Sequence, residues 1–141
     1  MAGDDSVSFN HVGLCVRDLA VAQHFYESVF GFRVLRALSV PDSPTDRLLR
    51  LSGPIGLSAV YLSLDGFVLE LLSYSARDVS SRERVMDEVG LTHLSVSVPS
   101  LDDAVARVEA GGGSVLSDTL IEGVAVFVRD PDGQLIELLA R

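Results

Sequence analysis

The chain has 141 residues, 48% of them hydrophobic, which is enough to bury one sizeable core at a length typical of a single domain of about 100–150 residues. A formal net charge of −9 and a pI near 4.6 argue against nucleic acid and anionic membrane surfaces as partners, since both are held by clustered Lys and Arg. Cys15 is the only cysteine and has no internal disulfide partner; the opening Met-Ala-Gly-Asp-Asp-Ser lacks a signal peptide's basic start, and no apolar run near it reaches the roughly 18 residues of a spanning helix, so a soluble cytoplasmic protein is expected.

In chain order, Phe9 to Val16 alternates as a half-buried strand, with His11, Gly13 and Cys15 on one face and Val12, Leu14 and Val16 on the other. Asp18 reads as the N-cap of a helix from Leu19 to Phe30, in which Leu19, Ala22, Phe25, Tyr26, Val29 and Phe30 keep helical spacing and Gly31 is the stop. Phe32 to Leu38 reads as a second strand, Pro41 to Pro44 as a loop, and Thr45 to Leu51 as a short helix before the Gly53-Pro54 turn. Leu57 to Leu64 and Phe67 to Tyr74 flank Asp65-Gly66, a strong hairpin signal. The polar stretch Ser75 to Glu88 reads as a linker with room for some helix. A strand from Leu91 to Val98 follows, then a helix from Leu101 to Ala110, a Gly111-Gly112-Gly113 stop, and strands near Ser114 to Leu116, Val124 to Val128 and Gln134 to Leu139.

The order repeats because the sequence does. Asp65-Gly66-Phe67-Val68-Leu69-Glu70-Leu71-Leu72 recurs as Asp132-Gly133-Gln134-Leu135-Ile136-Glu137-Leu138-Leu139, and the stretch from Asn10-His11 to Asp18-Leu19 is echoed from Thr92-His93 to Ser100-Leu101. Gly113 follows Gly31 at the same offset as His93 follows His11, so the register holds from strand through helix to stop. Such self-similarity decides the fold. The expectation is one α+β domain over 1–141, built of two tandem βαβββ modules (about 8–74 and about 91–141, joined by a linker at about 75–90) that form a curved mixed sheet around a metal-binding cavity.

Each half supplies one His and one Glu: His11 with Glu70, and His93 with Glu137. If the sheets curl toward a shared cavity, pseudo-twofold symmetry brings the four together. Imidazole nitrogen and carboxylate oxygen suit one borderline divalent ion such as Zn, Ni, Co, Mn or Fe, and leave room for water or substrate. A Glu flanked by Val68, Leu69, Leu71 and Leu72 is costly to bury unless it is paired or metal-bound. His24 has Ala106 as its counterpart and reads as an exposed helix residue. Cys15, matched by Ser97, reads as a small strand residue.

The two βαβββ modules, the Asn-His strand followed by Asp-Leu and by Phe-Tyr in the helix, and the terminal Asp-Pro-Asp-Gly-Gln-Leu-Ile-Glu-Leu resemble the vicinal oxygen chelate superfamily over nearly the whole chain. That superfamily includes glyoxalase I, methylmalonyl-CoA epimerase, extradiol dioxygenases and the fosfomycin and bleomycin resistance proteins. Two His and two Glu are similar to the bacterial glyoxalase I pattern, whereas the ring-cleaving dioxygenases use two His and one Glu on iron and the epimerases usually carry Gln where Glu70 stands. The resemblance implies a metal-dependent lyase, isomerase or epimerase acting on a small α-hydroxycarbonyl or thioester substrate, in which Glu137 and Glu70 move a proton beside a carbonyl through a metal-stabilised enediolate. It also implies a homodimer. The alternatives are a metal-free, ligand-sequestering protein of the bleomycin-resistance kind and a non-haem iron dioxygenase. Cys15 and Tyr74 occupy the positions of glutathione-anchoring residues in glyoxalase I, which speaks against glutathione; Arg47, Arg50, Arg82 and Arg84 are candidates to anchor another anion. One fold serves many substrates, so the substrate is left open.

Overall fold

A computed structural model of the chain describes residue 3 and residues 5–141. The elements run β1 (Val12–Cys15), α1 (Leu19–Phe30), β2 (Arg33–Ser39), α2 (Asp42–Leu49), β3 (Leu57–Leu64), β4 (Phe67–Tyr74), β5 (Leu94–Val98), α3 (Leu101–Ala110), β6 (Ser114–Ile121), β7 (Ala125–Arg129) and β8 (Leu135–Ala140). The Asp18 carboxylate accepts the Val21 N–H and caps α1 at its start, while Gly31 at φ 79° closes it in the left-handed conformation that glycine adopts without a steric cost. Ser100 caps α3 in the same way, accepting from the Asp103 N–H, with Asp102 and Asp103 placed favourably for the helix dipole.

The strands form two four-stranded mixed sheets of identical topology, β1-β4-β3-β2 and β5-β8-β7-β6, which are not closed into a barrel. In each, the first strand lies parallel to the last and the remaining pairs are antiparallel. Val60, Leu62, Leu69 and Leu71 of one sheet, and Val126, Val128, Ile136 and Leu138 of the other, point toward the helices and join Phe25, Tyr26, Val29, Ala104 and Val108 in one core. Side chains alternate along a strand, so Glu70 and Glu137 project from the opposite face of their sheets.

The modules meet through α1 and α3. The Tyr26 hydroxyl, fully buried, donates to Asp130 Oδ2 at 2.8 Å, and Asp130 is itself only 3% exposed. Its other oxygen accepts the N–H groups of Asp132 and Gln134, so one buried carboxylate both builds the turn before β8 and holds the helix of the first module. Burial raises the Asp130 pKa and pushes that of Tyr26 well up, the latter reinforced by the neighbouring charge. The Arg107 guanidinium donates to the Val29 carbonyl across the same seam.

Several boundaries differ from the sequence reading. β1 and β5 begin only at Val12 and Leu94, because the parallel ladders start at Val12↔Leu69 and Leu94↔Ile136. β6 extends to Ile121 across a register shift that periodicity does not reveal. α2 starts at Asp42, inside the expected loop, where the Asp42 carboxylate accepts the N–H groups of Ile55 and Gly56 and ties the helix start to the chain beyond. Residues 75–93 contain neither helix nor strand and are fastened instead by side chains, with Arg17 donating to Val79 O and Ser81 Oγ and Arg84 to Leu91 O. Among the described residues no helix is long and apolar enough to cross a membrane.

Two stability outcomes follow from the seam between the modules. Tyr26→Phe leaves Asp130 Oδ2 without its buried donor and is expected to cost about 1–3 kcal/mol in denaturant titration. A Cβ on Gly113 would sit 2.4 Å from the Arg129 carbonyl oxygen and 2.9 Å from the Phe25 ring. Gly113→Ala is therefore expected to cost about 1–3 kcal/mol by overpacking. A midpoint unchanged from wild type in either variant would refute the role given to that residue.

Candidate functional site

Each candidate imidazole stands one residue before the first strand of its module, and each carboxylate lies near the middle of the last strand. The parallel pairings, Gly13↔Glu70 and Ser95↔Glu137, bring the two together. His11 Nε2 lies 3.6 Å from Glu70 Oε1, and His93 Nε2 lies 4.0 Å from Glu137 Oε1. The other nitrogen of each ring is held by the preceding residue: His11 Nδ1 meets Asn10 Oδ1, and His93 Nδ1 meets Thr92 Oγ1 at 2.8 Å. With the Asn10 oxygen accepting, Nδ1 of His11 carries the proton and Nε2 presents its lone pair, the arrangement a metal-ligating histidine needs.

The direct strand pairings extend each pair into a row of four on one sheet face. In the first module the row is Gly13, Glu70, Tyr61, Arg36; in the second it is Ser95, Glu137, Phe127, Leu116. The aromatic residue in each row supports the imidazole edge-on, His11 on Tyr61 at 5.2 Å and His93 on Phe127 at 5.3 Å between ring centres. The carboxylates are then oriented differently. Ser95 Oγ donates to Glu137 Oε1 at 2.8 Å, whereas Glu70, buried to 9% exposure, lies beside the Tyr61 hydroxyl and raises its pKa, which keeps the phenol protonated. At Gly13 a Cβ would crowd Leu72 Cδ1 at 3.3 Å and reach Glu70 Oε1 at 3.9 Å, an ordinary contact.

The donor set, two imidazoles and two carboxylates, fits a borderline divalent ion. Within one chain, however, no three His, Cys, Asp or Glu side chains converge as a metal site among the described residues. The four candidates come together two by two, one pair per sheet. A groove of about 830 Å³ runs between the modules, and of the four only His93 lines it, so it does not unite them.

The remaining candidates resolve as follows. His24 is exposed on α1, as expected. Cys15 has its thiol pKa raised, first by desolvation and then by Asp132, which disfavours the thiolate. Of the arginines singled out as anion anchors, Arg82 is engaged by Glu88 at 2.7 Å and Arg84 by the Leu91 carbonyl, while Arg47 lies in α2 and Arg50 caps its end. Sequence reasoning missed Ser95, Tyr61, Phe127 and Arg36. Tyr61 was within reach: the Asp65-Gly66 turn pairs Leu64 with Phe67, and counting outward along the hairpin sets Tyr61 opposite Glu70.

Residues 8–138 match the Glyoxalase/Bleomycin resistance protein/Dioxygenase superfamily. The chain belongs to this superfamily. It is 30% identical to a lactoylglutathione lyase of Arabidopsis thaliana over 97% of its own length, though it spans only 45% of that relative. It is 26% identical to the mitochondrial methylmalonyl-CoA epimerase of Homo sapiens, with 92% of this chain and 71% of the relative covered. Among solved structures, a glyoxalase family protein from Bacillus cereus superposes with a TM-score of 0.81 at 19% identity, covering 99% of this chain and 97% of that one. The trypanothione-dependent glyoxalase I of Leishmania major gives 0.70 at 27% identity, covering 96% and 87%. Superfamily membership and fold thus agree with the duplicated sequence pattern.

Proposed function

We propose that this protein is a metal-dependent lyase, isomerase or epimerase that moves a proton next to the carbonyl of a small α-hydroxycarbonyl or thioester substrate. The reacting site is made by His11 and Glu70 of one copy and His93 and Glu137 of a second copy in a twofold dimer. The observation that carries this reading is the matched pair of His–Glu units, each with Nε2 turned to a carboxylate and Nδ1 held by its neighbour. Two half-sites on separate sheets of one chain are completed when a twofold axis sets the first module of one copy against the second module of the other. The same contact covers sheet faces and edges that a single copy leaves open. Likeness to lyase and epimerase relatives supports the reaction class.

A divalent ion held by the two imidazoles and two carboxylates would supply a Lewis acid toward the substrate oxygens. The protein's own groups do the rest. Asn10 and Thr92 fix the imidazole rings, and Tyr61 and Phe127 brace them from the side. Glu137, held by one serine hydroxyl and with its side chain 26% exposed against 12% for Glu70, is the freer carboxylate and is assigned the proton transfer beside the carbonyl. Glu70, deeper and beside the Tyr61 phenol, is the second candidate for the proton on the opposite side of the substrate.

Mixing the two single-histidine variants tests the shared site. Purified His11→Ala and His93→Ala should each lose stoichiometric metal. A mixed dimer of the two has one site lacking both histidines and one intact, and should recover one ion per dimer by elemental analysis. Full metal in the His11→Ala, His93→Ala double variant would sink the ligand assignment; a mixed dimer that recovers none would place the site within one chain.

The role of the carboxylate is tested by isotope exchange. Glu137→Gln should retain metal yet exchange the substrate's α-proton with deuterated solvent about 10² to 10⁴ times more slowly, the usual share of general acid–base catalysis. Substrates come from a panel of hemithioacetals, 2-hydroxyacyl thioesters, 2-keto sugars and acyl-CoA compounds. Undiminished exchange in both Glu137→Gln and Glu70→Gln rules out the carboxylates as the base.

A further inference from the structure

The two rows that carry the His–Glu pairs match at their inner positions and diverge at their outer ones. Beyond Glu137 lie Phe127 and Leu116, which are apolar; beyond Glu70 lie Tyr61 and Arg36. Arg36 reaches this face because β2 carries a bulge. The ladder pairs Val34 with Leu62 and then skips Leu35, so that Arg36 pairs with Tyr61. In unbroken register Leu35 would face Tyr61, and Arg36 would turn to the side of Val60, which is core. One inserted residue therefore exchanges a leucine for a cation on the site face, the way a bulge re-aims a side chain.

The Arg36 guanidinium lies over the Tyr61 ring, 4.5 Å from its centre, and Tyr61 in turn supports His11. Stacking orients the plane of the guanidinium; part of it faces the Tyr61 hydroxyl, whose pKa it pulls down against the Glu70 carboxylate, and the remaining N–H groups of this exposed side chain are open to an acceptor. Among the described residues no carboxylate forms a salt bridge with Arg36, although the chain holds 20 acidic residues against 11 basic ones. Arg17, Arg82 and Arg129 have such partners; the other described arginines, like Arg36, have none, and what separates Arg36 from them is its place in the row of Glu70. A single positive charge in one row with Glu70 also selects the guest: it balances a planar carboxylate monoanion, whereas a phosphate dianion would leave net negative charge beside a buried glutamate.

We propose that Arg36 anchors a carboxylate carried by the substrate at the end remote from the reacting carbonyl, while the Phe127–Leu116 row receives an uncharged part. The inference rests on the reading of His11–Glu70 as half of the reacting site and adds the substrate's class to it. The substrates are carboxylic acids, bound in one orientation because only one of the two rows offers a cation.

The test uses three 2-oxodicarboxylates of four to six carbons, each compared with its distal monomethyl ester, titrated calorimetrically into dimeric protein with and without loaded metal. At least one acid should bind wild type tenfold or more tightly than its ester. Arg36→Gln should bring that ratio to within about twofold of unity without change in metal content, Arg36→Lys should keep part of it, and Arg50→Gln, outside the row, should keep all of it. An acid preference that survives Arg36→Gln, no preference in wild type, tighter binding of a distal phosphate analogue, or no acid binding at millimolar concentration each overturns the assignment. A preference that depends on Arg36 in protein that takes up no metal would leave the anchor standing and defeat the metal reading, so the two failures are told apart.

Discussion

Parallel pairing of the first and last strand of each module is the constraint on which the site depends. A parallel pair needs a crossover, and the helix and hairpin between the strands supply it. The result is that a histidine near the start of a module lies beside a glutamate near its end: Gly13↔Glu70 and Ser95↔Glu137 are the ladder contacts, and the imidazole two residues upstream reaches the carboxylate from there. The chemistry was therefore duplicated with the fold, not added to it.

The two modules are held together away from that chemistry. Their contact runs through α1, α3 and the Tyr26–Asp130 hydrogen bond on the helical side of the sheets, while both His–Glu pairs lie on the opposite faces. Asp130 is costly to bury, and its raised pKa expresses that cost; three donors, the Tyr26 hydroxyl and two backbone N–H groups, offset it. A carboxyl whose folded pKa is raised binds a proton more readily in the folded than in the unfolded chain. This group's contribution is thus fullest below the unfolded carboxylate pKa and declines as pH rises through its raised folded value.

What could be read from the chain and what could not divide along physical lines. The helices α1 and α3 were legible to the residue because a capping side chain and a glycine stop bracket each apolar stripe, and β3 and β4 were legible because Asp65-Gly66 admits only one hairpin register. The four candidate ligands came from the duplication. Arg36 did not, since strict alternation through Phe32 to Leu38 conceals a bulge that has no marker such as glycine, and a bulge reverses the face of every residue beyond it. The four candidates' partition into two pairs was equally hidden. Self-similarity says that the halves are alike, but it does not say whether their like faces meet in one chain or in two.

A superfamily fold constrains chemistry more tightly than it constrains substrate. In the proposed reaction the imidazole and carboxylate of each half would serve the proton transfer itself, and these residues are matched under the pseudo-twofold. The outer positions touch only what differs between substrates, and there the symmetry is broken: Tyr61 and Arg36 against Phe127 and Leu116. A symmetric pair of rows would bind an asymmetric molecule in two orientations and present the wrong carbon to the base half the time. With Arg36 as the proposed anchor, a cation on one side and an apolar row on the other would remove that degeneracy, and about 1.4 kcal/mol is enough for tenfold discrimination. Under the proposed function, the departure from internal symmetry is where specificity would reside.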